Sequence, residues 1–295
     1  MDTQPVSIAA FYKFASFSEE GVQAAKRELE GFAAARGLKG LVVLGAEGLN
    51  ATIAGSPQVI ADAKELVRTI VSDPDLEFKE SIAEKIPFAR FKVDVRQEII
   101  TTKDLSIKSE ESAGTHLTPK EWHELIASDP DVVLLDTRND YEVEVGTFEG
   151  AVDPRIKKFS DFQGYVEQAG FSKDKKLLMF CTGGIRCEKA VPEMKRLGFD
   201  EVYQLQGGIL RYLEEYPDGF FRGECFVFDH RVAVDSNLQP SKRYSLCPHC
   251  GNPAQENISC GNCGKDAVIC HHCKPLHDRN SCSKNCAYHL RRKAA

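Results

Sequence analysis

The sequence predicts an α/β protein in three parts: an N-terminal α+β sandwich, a central doubly wound parallel sheet, and a small cysteine-rich module at the C-terminus. Three observations carry this. Residues 1–98 alternate strand-like and helix-like patterns in the order β-α-β-β-α-β. Residues 118–224 alternate short apolar runs with helical periodicity, the mark of βαβ units. Eight of the eleven cysteines fall within 40 residues, from Cys247 to Cys286.

In the first part, "VSIAAFYKF" reads as a strand, and Val22, Ala25, Leu29 and Phe32 space one face of a helix opening at Ser18. "GLKGLVVLGAEGLNATIAG" reads as two strands about a glycine-containing turn. Ser56 and Pro57 are an N-cap and first-turn pair for a helix whose buried face is Ile60, Ala63, Val67 and Ile70. "LEFKESIAE" and "FARFKVDVR" complete a ferredoxin-like sandwich. Residues 99–117, polar and aperiodic around "KSEESAG", are expected to be a linker.

Thr118-Pro119-Lys120-Glu121 is a capping box opening the second part. "DVVLLDTR" is a short apolar run suited to a buried parallel strand. A helix is expected over Phe159–Ala169, then the strand "KKLLMF", a helix from near Cys187, and the strand "EVYQL". The third part, residues 225–295, holds the cysteine pairs.

The 295 residues, 42% hydrophobic and 28% charged, have the make-up of an ordinary globular protein. No apolar run approaches the roughly 18 residues of a membrane span. The start "MDTQPVSIAAFYKF" has neither a basic n-region nor a long apolar stretch, so a cytoplasmic protein with no membrane partner is expected. Residues 241–295 carry nine Lys and Arg against three Asp and Glu, while the whole chain has a net charge of −6. An acidic body with a basic tail points to a polyanion, nucleic acid above all. Tyr244 and Tyr288 in that tail are candidates for base stacking or for core packing.

The chemistry concentrates in "KLLMFCTGGIRCEKA". Strand, tight loop and helix put Cys181 at the carboxyl end of a parallel strand, where open α/β sheets place ligands. Thr182, Gly183, Gly184 and Ile185 form a loop whose peptide N–H groups can turn inward as an anion-binding nest. The following helix adds its N-terminal partial charge, and Arg186 a full one. All favour thiolate over thiol, making Cys181 the candidate nucleophile. Cys187 falls in the first helical turn, where packing is the expected role and a resolving or redox function the alternative. Asp136 and Arg138 at a strand end are expected to order the loop by charge-assisted hydrogen bonds, with Glu142 in support. Glu47 and Asn50, at a strand-to-strand turn, are candidates for facing substrate.

"CPHC", "CGNC", "CHHC" and "CSKNC" give four half-sites: Cys247/Cys250, Cys260/Cys263, Cys270/Cys273 and Cys282/Cys286. A structural zinc takes two such turns, so eight thiolates suit two zinc ions, paired sequentially or interleaved. His249, His271, His272 and His277 are spare donors.

"CTGGIRCE" resembles the active-site loop of the rhodanese family, whose loop cysteine carries sulfane sulfur as a persulfide. "LLDTRNDYEVEVGTFEGAVDP" resembles that family's other signature, with Asn139, Asp140, Tyr141 and Glu142 continuing the Asp-x-Arg motif. Only four residues separate Cys181 from Arg186, a ring suited to sulfur rather than to tetrahedral phosphate. More of the chain is similar to the bacterial tRNA uridine hydroxylases. "GAEGLNATIAG", "VRQEII", "LDTRNDYE", "CTGGIRCEKA", "QLQGGILRYLEE" and "FVFDHRVAV" follow in the order found there. That resemblance implies oxygen-dependent conversion of the wobble uridine of tRNA to 5-hydroxyuridine, with Cys181 as the essential thiolate and an electron donor still to be identified. The loop alone implies a rhodanese-type sulfurtransferase passing sulfur through a Cys181 persulfide.

Overall fold

A computed structural model describes residues 5–102 and 104–294. β1 (Val6–Phe14), α1 (Glu19–Arg36), β2 (Lys39–Gly45), β3 (Gly48–Gly55), α2 (Pro57–Val71), β4 (Lys79–Ala83) and β5 (Phe91–Val95) form the first part. The sheet order is β4-β1-β3-β2-β5, antiparallel except where β5 joins β2. Its first four strands make the split βαβ arrangement expected of a ferredoxin-like sandwich. The side chains of Ser18 and Ser56 cap α1 and α2, accepting the Gly21 and Val59 N–H groups. Both helices lie on one face, over Phe11, Val42, Leu44 and Ile53. Alternation along the strands sends Ile8, Ala10, Tyr12, Asn50 and Thr52 to the other face, which α1 and α2 leave bare.

The segment 99–117, expected as a linker, packs against its neighbours. Ile99, Ile107 and Ser112 are buried, and His116–Leu117 (β6) is an edge strand of the second sheet. The polarity that reads as a linker comes from the side chains of a single 3-10 turn, Ser109–Ser112, lying on the helix from Cys187.

The second part comprises α3 (Pro119–Ser128), β7 (Val133–Asp136), α4 (Asp140–Val143), β8 (Gly146–Phe148), α5 (Phe162–Val166), β9 (Leu177–Phe180), α6 (Cys187–Arg196), β10 (Val202–Leu205) and α7 (Gly208–Glu215). Its sheet, β6-β10-β9-β7, is parallel throughout. The Thr118 capping box forms as the sequence implies. Separate apolar clusters cover the two faces, one with α5 and α6, the other with α3 and α7. The helix expected over Phe159–Ala169 is shorter: a 3-10 turn, Phe159–Asp161, runs into α5. Gly164 and Gly170 both disfavour a longer one.

β11 (Phe221–Gly223) pairs with β8, and β12 (Cys225–Phe226) with β13 (Ala233–Val234). Two small ribbons follow, β14 (Ser245–Leu246) with β15 (Pro253–Ala254) and β16 (Glu256–Ser259) with β17 (Asp266–Ile269), and then α8 (Lys284–Ala294). Among the described residues no helix is long and apolar enough to cross a membrane.

Candidate active site

The bare face of the N-terminal sheet roofs the thiol loop. Between them lies a cavity of about 600 Å³. Tyr12, Asn50, Thr52 and Lys79 line it from above, Cys181, Thr182, Gly183, Ile185 and Arg186 from below, and Phe228 and Arg231 from the side.

β9 ends at Phe180, so Cys181 opens the loop at the strand's carboxyl end, 1% exposed. Its Sγ accepts the Gly184 N–H at 3.1 Å. Burial alone pushes this thiol up. The Cys187 S–H, the Arg186 guanidinium and the Arg186 and Gly184 peptide N–H groups outweigh it and hold Cys181 down at about 6. Cys187, buried and facing that sulfur, is pushed up instead. Arg186 is held by a carboxylate: its Nη2 lies 2.9 Å from both Oε1 and Oε2 of Glu142. Its Nη1 is buried without a protein partner among the described residues, a donor left over for an anion in the ring. Phe228, 53% exposed, stands with its ring centroid 5.6 Å from that guanidinium.

The loop is braced from both sides. Gly208, at φ +68°, brings the start of α7 so close that a Cβ there would lie 2.5 Å from the Cys181 carbonyl oxygen. Ile209 and Leu210 donate their N–H groups to the carbonyls of Cys181 and Thr182, at 2.9 and 3.1 Å. At Gly184, φ +101°, a Cβ would lie 2.9 Å from the Tyr12 hydroxyl.

Asp136 and Arg138 do not face the cavity. Both are fully buried, and Arg138 donates from its backbone N–H, Nε and Nη2 to the Asp136 carboxylate. Its Nη2 also reaches the Gly146 carbonyl at 2.6 Å, and Thr147 donates to Asp136 at 2.8 Å. The pair ties β7 to β8, under the strand that carries the loop.

Sequence reasoning missed the residues that seat the roof. Glu188 accepts from the Tyr12 hydroxyl at 2.9 Å and from Gln204 Nε2 at 3.3 Å, lies 3.0 Å from His116 Nε2, and is bonded by the Ser112 hydroxyl. Lys189 Nζ donates to Glu47 Oε2 at 2.6 Å, while Glu47 Oε1 accepts the Ile99 N–H at 2.8 Å. Glu47 therefore docks one domain on the other; of the two turn residues, Asn50 is the one in the cavity wall. Arg231 clasps Asp229 as Arg138 clasps Asp136, and reaches Ser81 on β4 at 2.7 Å. Two adjacent charges on α6, Glu188 and Lys189, gave no signal that they reach Tyr12 and Glu47 in another domain.

The tail cysteines gather in two groups of four. Cys247 and Cys250 join Cys270 and Cys273; Cys260 and Cys263 join Cys282 and Cys286. The pairing is interleaved. Sγ–Sγ separations of 3.5 Å (Cys250–Cys270), 3.6 Å (Cys263–Cys282) and 3.8 Å (Cys263–Cys286) are near the roughly 3.8 Å edge of a tetrahedron with 2.3 Å metal–sulfur bonds. Each group could hold one metal ion. His249 belongs to neither; its Nε2 lies 2.7 Å from the Ser281 carbonyl and links the two groups. His271 and His272 lie 3.7 and 3.6 Å from Glu144, outside α4, and His277 starts a short 3-10 turn. Tyr244 packs beside Val145 and Phe226, whereas Tyr288 is exposed on α8 near Arg292.

Family models match nearly the whole chain: a UPF0176 acylphosphatase like domain at residues 6–99, a rhodanese-like domain at 118–215 and a rhodanase C-terminal region at 222–287. The chain is 47% identical over 290 residues to a protein of Bdellovibrio bacteriovorus named tRNA uridine(34) hydroxylase, covering 98% of this chain and 82% of that one. Proteins of the same name from Teredinibacter turnerae and Brucella anthropi are 45% and 44% identical, covering 90% and 89% of this chain and 83% and 89% of their own. On the sandwich, the thiol loop and the similarity end to end, this chain belongs to the tRNA uridine(34) hydroxylase family.

Proposed function

We propose that this protein hydroxylates the wobble uridine of tRNA at C5, consuming dioxygen, with Cys181 as the nucleophile and Arg186 as its electrostatic partner. The observation that carries the proposal is the thiolate-holding ring at the floor of a cavity large enough for one flipped nucleotide. A single-stranded anticodon base can be splayed into such a pocket. Lys79, Arg96 and Lys158 in its walls favour an anionic nucleotide. Within the ring, the Gly184 and Arg186 peptide N–H groups would orient the sulfur toward the uracil ring, and thiolate addition at C6 would leave C5 nucleophilic toward oxygen. The paired carboxylate of Glu142 keeps the Arg186 fork fixed beneath it. Asp136 and Arg138 act by position alone.

The thiol-rich tail fits two structural zinc ions, since four sulfurs converge at each site and the apolar core there is small. Its basic helix, with Arg291, Arg292 and Lys293, suits phosphate backbone. Cytoplasmic work on tRNA accords with thiolates kept reduced for metal.

The test is Cys181→Ser in cells lacking the native protein, read by mass spectrometry of tRNA nucleosides. Wild type should restore 5-hydroxyuridine and the variant should leave it reduced by roughly a thousandfold or more. Loss of a thiolated uridine in the deletion strain, with hydroxyuridine intact, would replace hydroxylation by sulfur transfer.

A further inference from the structure

Two thiols meet beneath the cavity, and the proposed chemistry has so far used one. Gly184 binds both residues: its N–H donates to Cys181 Sγ at 3.1 Å, and its carbonyl accepts the Cys187 N–H at 3.0 Å. Thr137 steadies both as well. Its hydroxyl donates to the Phe180 carbonyl at 2.9 Å, beside Cys181, and lies 3.7 Å from Cys187 Sγ. Burial and the Cys181 sulfur nearby push the Cys187 thiol up. Both sit in one apolar cluster, but only Cys181 borders the cavity; Cys187 is 0% exposed and lies behind it. A substrate can reach the first thiol, and only the first thiol can reach the second.

Putting one atom of dioxygen into a C–H bond leaves the other atom to become water, which takes two electrons and two protons. We propose that Cys187 is the resolving thiol of this reaction, so that Cys181 and Cys187 together supply those electrons and end each turnover as a disulfide. This rests on the hydroxylase reading. The balance is uridine C5–H plus dioxygen plus two thiols, giving C5–OH, water and one disulfide. Dioxygen adds at C5 of the C6-bound adduct as a hydroperoxide; loss of the C5 proton restores the C5–C6 double bond and breaks the C6–S bond, releasing Cys181 as the thiolate with no net electrons consumed. The Cys181 thiolate attacks the terminal oxygen and the O–O bond breaks. The inner oxygen stays on C5 and takes a proton as the hydroxyl, while Cys181 becomes a sulfenic acid. Cys187 sulfur then attacks Cys181 sulfur; the S–O bond breaks, and the departing hydroxide takes the Cys187 proton as water. An external thiol or dithiol reductant resets the pair.

The arrangement orders these events. While Cys181 is an anion, burial and that neighbouring charge keep Cys187 protonated and unreactive. A neutral sulfenic acid removes the charge, and Cys187 is then freed to react. The thiol that must wait is the one with no access to substrate.

The experiment uses reduced, full-length, metal-loaded protein, freed of small thiols, with tRNA carrying an unmodified wobble uridine under air. Trypsin cuts after Lys176, Arg186 and Lys189, so the cross-link joins peptides 177–186 and 187–189. The expected result is about one hydroxyuridine per chain, a matching yield of that cross-link, and renewed turnover on adding dithiothreitol. Cys187→Ser and Cys187→Ala should lower multiple turnover by about tenfold or more and leave a dimedone-reactive Cys181. Alkylation of Cys181 near the wild-type rate in Cys187→Ser, whose hydroxyl can replace the lost donor, and an unchanged circular-dichroism spectrum in both variants would show the loop and domain still folded. Hydroxyuridine formed while both cysteines stay free to alkylate would overturn the resolving role and leave the hydroxylase intact. No hydroxyuridine from reduced wild type would overturn the hydroxylase reading, and this inference with it.

Discussion

Cysteine is used in two opposite ways along this chain. In the thiol loop one sulfur is held anionic by protein alone, through peptide N–H groups, a neighbouring S–H and a guanidinium, on a sheet that stands without it. In the tail eight sulfurs converge on two points with a core of little more than Ala254 and Ile269 besides the thiols themselves. The loop is preorganised and its charge is a product of the fold; in the tail little is packed besides the thiols, and each group of four could hold one metal ion. Proximity of thiols therefore says nothing by itself about chemistry. What distinguishes the two is whether packed structure or an ion balances the negative charge.

The sharpest break between them is metal removal. A chelator should unfold residues 241–294 while Cys181 in the loop alkylates at its former rate. Structural zinc in small modules supplies about 10–16 kcal/mol per site, far more than this tail's core. Hydrogen exchange would locate the loss, and metal analysis of the native protein should give two ions per chain; protection retained throughout the tail after chelation would remove the distinction.

The loop depends instead on buried charge beneath it. Arg138→Met strands the Asp136 carboxylate in a fully buried site and should cost about 3–5 kcal/mol in urea unfolding. Restoring neutrality with Asp136→Asn in the same chain should recover much of that.

A smaller effect separates the anion's own stabilisers. Because Cys181 is held down at about 6, its alkylation rate should rise with pH to a midpoint near that value and level off above 7. Removing the Arg186 charge, together with its Glu142 partner so that no buried carboxylate is stranded, as Glu142→Gln/Arg186→Gln, should raise the midpoint by about 1–3 units. A midpoint that does not move would assign the thiolate to the peptide N–H groups and the Cys187 S–H.

What could be read from the sequence was what is local. Cys181 and Arg186 are five positions apart, Asp136 and Arg138 two, and the capping box at Thr118 three; each makes its structure within one turn of chain. The half-sites were visible for the same reason, but their interleaving was not, since nothing in a C-x₂-C turn says which other turn it faces. The roof was hidden altogether. Tyr12 and Glu188 are 176 positions apart, and Glu47 and Lys189 142. Glu188 and Lys189 sit where a surface helix would carry charge, and the N-terminal domain together with segment 99–117 covers it. Segment 99–117 misled because composition reports exposed side chains and not the Ile99 and Ile107 anchors between them.

The ties above the cavity also decide how a nucleotide gets in. Raising the N-terminal sheet would rupture Tyr12–Glu188, Glu47–Lys189 and Ser81–Arg231 together, stripping a partner from four charged side chains at once. Entry past Phe228, whose ring is already half in solvent, breaks none of them. The lid is in effect riveted down, and the side at Phe228 is the way in that costs no tie.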